Sequence, residues 1–167
     1  AAEIEYILSI LESGQSVTKE PAYVQTAAAH ANPDWGNTYI EVDLTEQHMW
    51  YLQNNTVVFE CDVVTGEPIP EKETPTGVFF IMEKLRNKTL IGAPDPITNE
   101  PSYRQPVTYW ARVTGTGIGF HDADWQTAFG GSRYLYYGSH GCINMRPSDA
   151  AAFYDMISVG DPVIIHN

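Results

Sequence analysis

The chain holds 167 residues, of which 43% are hydrophobic, 12% aromatic and 18% charged, and its formal net charge at pH 7 is -12. That length accommodates one ordinary domain with a real core, and so high an aromatic content excludes a disordered chain. No apolar run is long enough to cross a bilayer as a helix, and the acidity, with no clustered Lys or Arg, excludes a nucleic-acid partner; it reads as a solubility device ahead of an attraction for amine-bearing substrates.

The chain begins at Ala1 rather than Met and shows no signal peptide. It is expected to be a mature or trimmed chain from which an export signal or anchor has been removed. Ile4, Ile7, Leu8 and Leu11 recur at helical spacing until Gly14, which predicts one amphipathic helix too short to be stable alone. It either packs on the main domain or is the tail of a domain further upstream. "GQSVTKEPAYVQTAAAHANPDWGN" then reads as a connector with turn signals such as Pro33-Asp34. The expected division is 1–36 as helix and connector, and 37–167 as the main domain.

From residue 38 the period changes to two. Ile40, Val42 and Leu44 face one way while Glu41 and Asp43 face the other. "HMWYLQ" and "TVVFECDVVTG" are two strands joined at Asn54-Asn55, where Asn tolerates the positive φ of a two-residue hairpin turn. "TPTGVFFIMEKL" predicts one further strand after a Pro- and Gly-marked turn. Residues Arg86 to Pro106, with four prolines and little periodicity, read as a long functional loop or lid. "VTYWARV" and "TGIGFHD" are strands, and a helix starts near Pro147 with Ala150, Phe153, Tyr154 and Ile157 on one apolar face and Gly160 beyond its end. "DPVIIHN" is a closing strand. The fold class is mainly β, a sandwich or barrel-like arrangement of mixed sheets with one or two short helices.

Two cysteines are present, and one disulfide between them is open, although a domain this size needs no such staple. Cys61 sits in a strand-like run, where a small buried thiol is the default. Cys142 follows Ser139-His140-Gly141 in a turn, where it reads as a nucleophile, a metal ligand or a structural thiol. A nucleophilic cysteine needs a base, exposure and donors for the oxyanion it creates. The amides of Gly141 and Cys142 are candidate donors. His121, on a strand, suits the base better than the adjacent His140. Asp122 points to the opposite face of that strand, so a main-chain carbonyl or Ser139 is the expected orienter of the imidazole. His121, Asp122, Asp124, His140 and Cys142 are metal-ligand types, but no standard zinc spacing appears.

His121, seventeen intervening residues, then Ser139-His140-Gly141-Cys142-Ile143-Asn144 resembles the signature of the YkuD-type L,D-transpeptidases. The resemblance runs from about Thr38 to Asn167 and includes "TPTGVF", "GFHDADW" and "GDPVII". It implies a YkuD-type fold, with the N-terminal helix coming from a preceding domain or linker as in Gram-positive members. It also implies a peptidoglycan enzyme outside the cytoplasmic membrane, in the cell wall. Cys142 would attack the third residue of a stem tetrapeptide, release D-Ala, and pass the acyl group to an amine of a neighbouring stem in a 3→3 cross-link. His121 would be the base, Gly141 and Cys142 the oxyanion donors, and Ser139 and His140 the residues that shape the loop. Tyr103 matches a lid aromatic. Thr116 and Gly117 match strand residues of the groove, and Asn144 matches a polar position near substrate. Trp125 matches an aromatic beside the groove, and core or hinge packing is the alternative for both it and Tyr103. No cofactor or metal is implied. Donor and acceptor stem peptides are the expected partners, carbapenems the expected covalent inhibitors, and a monomer the expected state. Two alternatives stay open: an L,D-carboxypeptidase that uses water as acceptor, and a non-catalytic wall-binding module. His30, His48 and His166 lie outside the motif.

Overall fold

The computed structural model describes residues 2–18 and 35–167; the Pro33-Asp34 turn, His30 and most of the predicted connector lie outside them. Helix α1 (Ala2–Ser13) ends at Gly14, whose φ of 64° is a left-handed value that glycine adopts without a Cβ penalty. Its stripe of Ile4, Ile7, Leu8 and Leu11 is exposed.

Strands β1 (Tyr39–Asp43), β2 (His48–Gln53), β3 (Thr56–Asp62) and β4 (Gly77–Phe80) belong to a first sheet. Buried and half-buried positions alternate along β1 and β2, which points Ile40, Val42, Met49 and Tyr51 inward. Asn54 and Asn55 take φ values of 50° and 60°, as the β2–β3 hairpin requires. A second sheet contains β5 (Glu83–Ile91), β6 (Arg104–Arg112), β7 (Gly119–Asp122) and β8 (Ile143–Met145), in that order. Between β7 and β8 the chain forms a 3-10 turn (Gly131–Arg133) and a short helix α2 (Tyr134–Tyr137). After β8 come α3 (Pro147–Met156) and β9 (Pro162–His166); β9 completes the first sheet in the order β3-β2-β1-β9-β4.

Both sheets and α3 share one core. Phe153 of α3 is 1% exposed, and its ring meets those of Tyr51 and Phe59 from one sheet and Phe120 from the other. Truncating such a central aromatic typically costs about 3–5 kcal/mol.

Several expectations change. Residues 86–106 are not a loop without secondary structure: β5 and β6 pair from Glu83↔Arg112 to Ile91↔Arg104, and Pro94 bridges Pro101 beyond them. The predicted strand over "TPTGVFFIMEKL" is two strands, β4 and β5, parted at buried Ile81. Thr116 and Gly117 lie in a turn rather than a strand. Val113 N and Thr114 N both donate to Ile118 O, and Gly117 has a φ of 97°. A disulfide is absent, since Cys61 and Cys142 are both free.

Candidate active site

Strands β7 and β8 are parallel neighbours in the register Phe120↔Ile143, His121↔Asn144 and Asp122↔Met145. Parallel strands need a long crossover, and residues between them supply it. Cys142 immediately precedes β8, so it and Asn144 stand two apart and face the same way. His121, Cys142 and Asn144 accordingly line one cavity of about 460 Å³, together with Tyr103 and Trp125. A second cavity, of about 550 Å³, reaches Cys142 from the side of Thr116 and Gly117. The two share Leu90, Tyr103, His140 and Cys142. Cys142 thus sits at their junction. The rings of Tyr103 and His140, 5.5 Å apart, line both cavities beside it.

His121 is buried, at 3% exposure. Its Nδ1 lies 2.9 Å from the Asp122 carbonyl oxygen. A carbonyl only accepts, so Nδ1 carries the proton and Nε2 keeps a free lone pair. Burial pushes the imidazole below its ordinary value of 6.5, while the Asp122 carbonyl and carboxylate pull the other way. The ring is therefore neutral at neutral pH. It lies between Trp110, at 6.2 Å and 26°, and Trp125, at 5.8 Å and 33°. The Asp122 carboxylate turns away, accepting the amides of Thr108 and Tyr109 at 2.8 and 2.7 Å.

Burial pushes the Cys142 thiol up to about 11, and the Gly119 N–H draws it back. Its Sγ is 3.9 Å from the Gly117 carbonyl oxygen. At rest the pair is thus a thiol and a neutral imidazole.

Ser139 clips the turn. Its Oγ accepts the Gly141 N–H at 3.0 Å and donates to the Cys142 carbonyl at 2.6 Å. The Gly141 amide, expected as a second oxyanion donor, is therefore taken, whereas no described residue accepts the Cys142 N–H. Gly141 itself has a φ of 112°, and a Cβ there would come within 2.9 Å of Ile118 Cδ1. Only glycine fits. Ser139, read as a possible orienter of the imidazole, yields that place to the Asp122 carbonyl.

Asn144 is 2% exposed, exchanges both main-chain bonds with Val64, and leaves Oδ1 buried without a partner. Trp125 is 43% exposed, which removes the core-packing alternative. His140 is exposed and faces Tyr103. Among the described residues no group of three or more His, Cys, Asp or Glu side chains is arranged to hold a metal ion. Trp110, Gln126 and Arg133 also line the two cavities and were not foreseen. Trp110 had a signal, a large aromatic inside a strand pattern, but only the cross-strand register with His121 gives it meaning.

The sequence model of one family, YkuD, described as the L,D-transpeptidase catalytic domain, matches residues 37–165. The chain belongs to the YkuD family of L,D-transpeptidase catalytic domains. A crystal structure of an Enterococcus faecium L,D-transpeptidase aligns with 99% of this chain and 63% of its own, with a TM-score of 0.78 and 40% identity. The catalytic domain of an E. faecium L,D-transpeptidase acylated by ertapenem, solved by NMR, aligns with 78% of this chain and 97% of its own, with a TM-score of 0.66 and 44% identity. L,D-transpeptidase 1 of Mycobacterium tuberculosis is 36% identical over 133 residues, which are 77% of this chain and 50% of that protein. The chain therefore spans about half the length of that relative. The YkuD family is one of cysteine acyltransferases. Of the residues in the sequence motif, His121, Ser139, His140, Cys142 and Asn144 line the first cavity.

Proposed function

We propose that this chain is the catalytic portion of a peptidoglycan L,D-transpeptidase. One observation carries the reading: two cavities meet at a single thiol that shares one of them with a neutral imidazole whose Nε2 is free. A donor tetrapeptide lies in one cavity with the carbonyl of its third residue at Cys142. As Sγ attacks, its proton passes to His121 Nε2. The S–C bond forms, and the carbonyl π pair moves onto oxygen, where the Cys142 N–H meets it. Collapse expels the amine of D-Ala, which takes the proton from the imidazolium. A thioester and a neutral imidazole remain. The acceptor amine of a neighbouring stem then attacks the thioester, its proton passing to His121 and on to the departing sulfur. One amide bond breaks and one forms, with no cofactor.

Asn144 Oδ1, buried and unpartnered, suits a peptide N–H of the donor. A second approach to the thiol favours an amine acceptor over the L,D-carboxypeptidase alternative. The reading extends to place: the reaction belongs on the outer face of the cytoplasmic membrane, in the cell wall of a bacterium of Gram-positive type. Residues 1–36 are assigned to the tail of an upstream domain. Support comes from the longer E. faecium structure, which aligns with 99% of the chain where the isolated catalytic domain aligns with 78%.

Incubation with a carbapenem followed by intact mass measurement tests the nucleophile. The chain should gain one adduct, and Cys142→Ala none. No adduct, or an adduct that survives Cys142→Ala, would overturn the assignment. Muropeptide products test the acceptor: 3→3 dimers support transpeptidation, whereas tripeptide monomers alone would replace it with the carboxypeptidase.

A further inference from the structure

Beneath the Ser139–Asn144 turn runs a segment, residues 64–74, that the mechanism above does not use. Val64 and Asn144 exchange both main-chain hydrogen bonds, at 3.0 and 2.9 Å. Ser139 N donates to Thr65 O at 3.0 Å, and Glu67 N donates to Ser139 O at 3.1 Å. Gln47, fully buried, grips Thr65 twice: its Nε2 donates to Thr65 Oγ1 at 2.6 Å and its Oε1 accepts Thr65 N at 2.9 Å. The segment is thus a floor pinned from below and bonded to the turn from above.

Thr74 closes that floor. It is 5% exposed. Its Oγ1 accepts the Gly66 N–H at 2.9 Å and lies 2.8 Å from the Gly141 carbonyl oxygen. An N–H only donates and a carbonyl only accepts, so the hydroxyl proton must point at Gly141. Gly66 lets the two strands of chain approach this closely; a Cβ there would collide with Lys72 O and stand 3.0 Å from Gly141 Cα.

The bond has a consequence for the next residue. Across a trans peptide the carbonyl of Gly141 and the N–H of Cys142 point in opposite directions. Holding that carbonyl against Thr74 turns the Cys142 N–H away from the floor. Gly141 has no side chain to restrain its own rotation. The Cys142 N–H is also the one amide of the expected donor pair that Ser139 leaves free.

We propose that Thr74 is a positioning residue: its hydroxyl sets the Gly141–Cys142 peptide plane and so aims the Cys142 amide at the oxyanion. The inference rests on the reading that Cys142 is acylated. A residue here must accept and donate through one atom, which Thr and Ser do and Val does not.

The test compares two reactions of the same thiol on the full chain. Carbapenem acylation passes through an oxyanion. Iodoacetamide alkylation displaces iodide at a saturated carbon and makes none. Thr74→Val should slow acylation at least about tenfold while leaving alkylation within about twofold, because losing an oriented donor affects only the first. Thr74→Ser should restore acylation. If Thr74→Val does not fold, Thr74→Ala removes the hydroxyl without added bulk and should behave as the valine variant. Unchanged acylation in the hydroxyl-less variant would overturn the inference. So would alkylation falling in step with acylation, since the effect would then lie in the thiol or the fold. A wild-type chain that takes up no carbapenem would overturn the transpeptidase reading itself, and this inference with it.

Discussion

His121 is oriented by its own neighbour's backbone: its Nδ1 donates to the Asp122 carbonyl at 2.9 Å, while the Asp122 side chain faces the amides of Thr108 and Tyr109. The two functions of Asp122 are therefore separable. Asp122→Asn should cost about 1–3 kcal/mol of stability, because an amide group would face a main-chain N–H, yet keep acylation running, with the acid limb of its pH profile moved to lower pH as the carboxylate's pull on the imidazole is lost. His121→Gln should slow acylation by about 100- to 10,000-fold with a small change in melting temperature. A carboxylate-dependent imidazole would reverse that contrast. Thermal melts and carbapenem acylation rates on both variants decide it.

The resting pair is neutral, and this has a kinetic signature. With the Cys142 thiol pushed up to about 11, alkylation by iodoacetamide should keep rising with pH from neutrality towards that value. A plateau that begins near neutrality would mean a preformed thiolate–imidazolium pair instead.

The same groups shape stability. His121 has a depressed value in the folded state, so its contribution is fully present above the ordinary 6.5 and is lost as pH falls through the folded value. Cys142 has a raised value, so its contribution is fully present below the ordinary 9.0 and is lost as pH rises through about 11. Buried Cys61 is also pushed up and acts in the same sense. The melting temperature should peak between those ordinary values, and Cys142→Ala should soften only part of the alkaline decline. A decline that starts on the acid side of neutrality and vanishes in Cys142→Ala would contradict this.

Ser139 makes two hydrogen bonds within one turn, to Gly141 N and Cys142 O. Ser139→Ala should lower stability by about 1–3 kcal/mol, from about 0.5–1.5 kcal/mol per bond, and slow acylation. Ser139→Thr keeps the hydroxyl and should stay close to wild type. Chemical denaturation of the two variants measures the difference.

Tyr103 and His140, in ring contact, line both cavities that reach the thiol. Tyr103→Ala should join them and admit water to the thioester. Muropeptide products should shift from 3→3 dimers towards tripeptide monomers; an unchanged ratio would show that this ring pair does not control the acceptor.

Period two along Ile40 and Val42 and the apolar face of Ala150, Phe153 and Ile157 were legible because each has one buried side and one wet side, and the paired asparagines at 54 and 55 because their residue type tolerates the positive φ of the turn. The β5–β6 hairpin was not. Leu85 and Ile91 on β5 are 42% and 60% exposed, so its apolar residues do not mark one buried face, and Asn87 breaks the run with a φ of 56°. The pairing of His121 with Cys142 was legible as a motif. Neither the Gly141 amide bound by Ser139 nor the carbonyl bound by Thr74 was, since Thr74 meets Gly141 only through the fold.

The motif counts residues along the chain, but the site is measured across the rungs of a ladder. His121 stands opposite Asn144 because β7 and β8 share a parallel register. The crossover that carries the 3-10 turn and α2 lies outside that ladder. Its length is therefore free to drift, with residues gained or lost near the 3-10 turn, while base and thiol keep their separation. A slip of one rung, with no residue changed, would turn Cys142 and Asn144 away from His121.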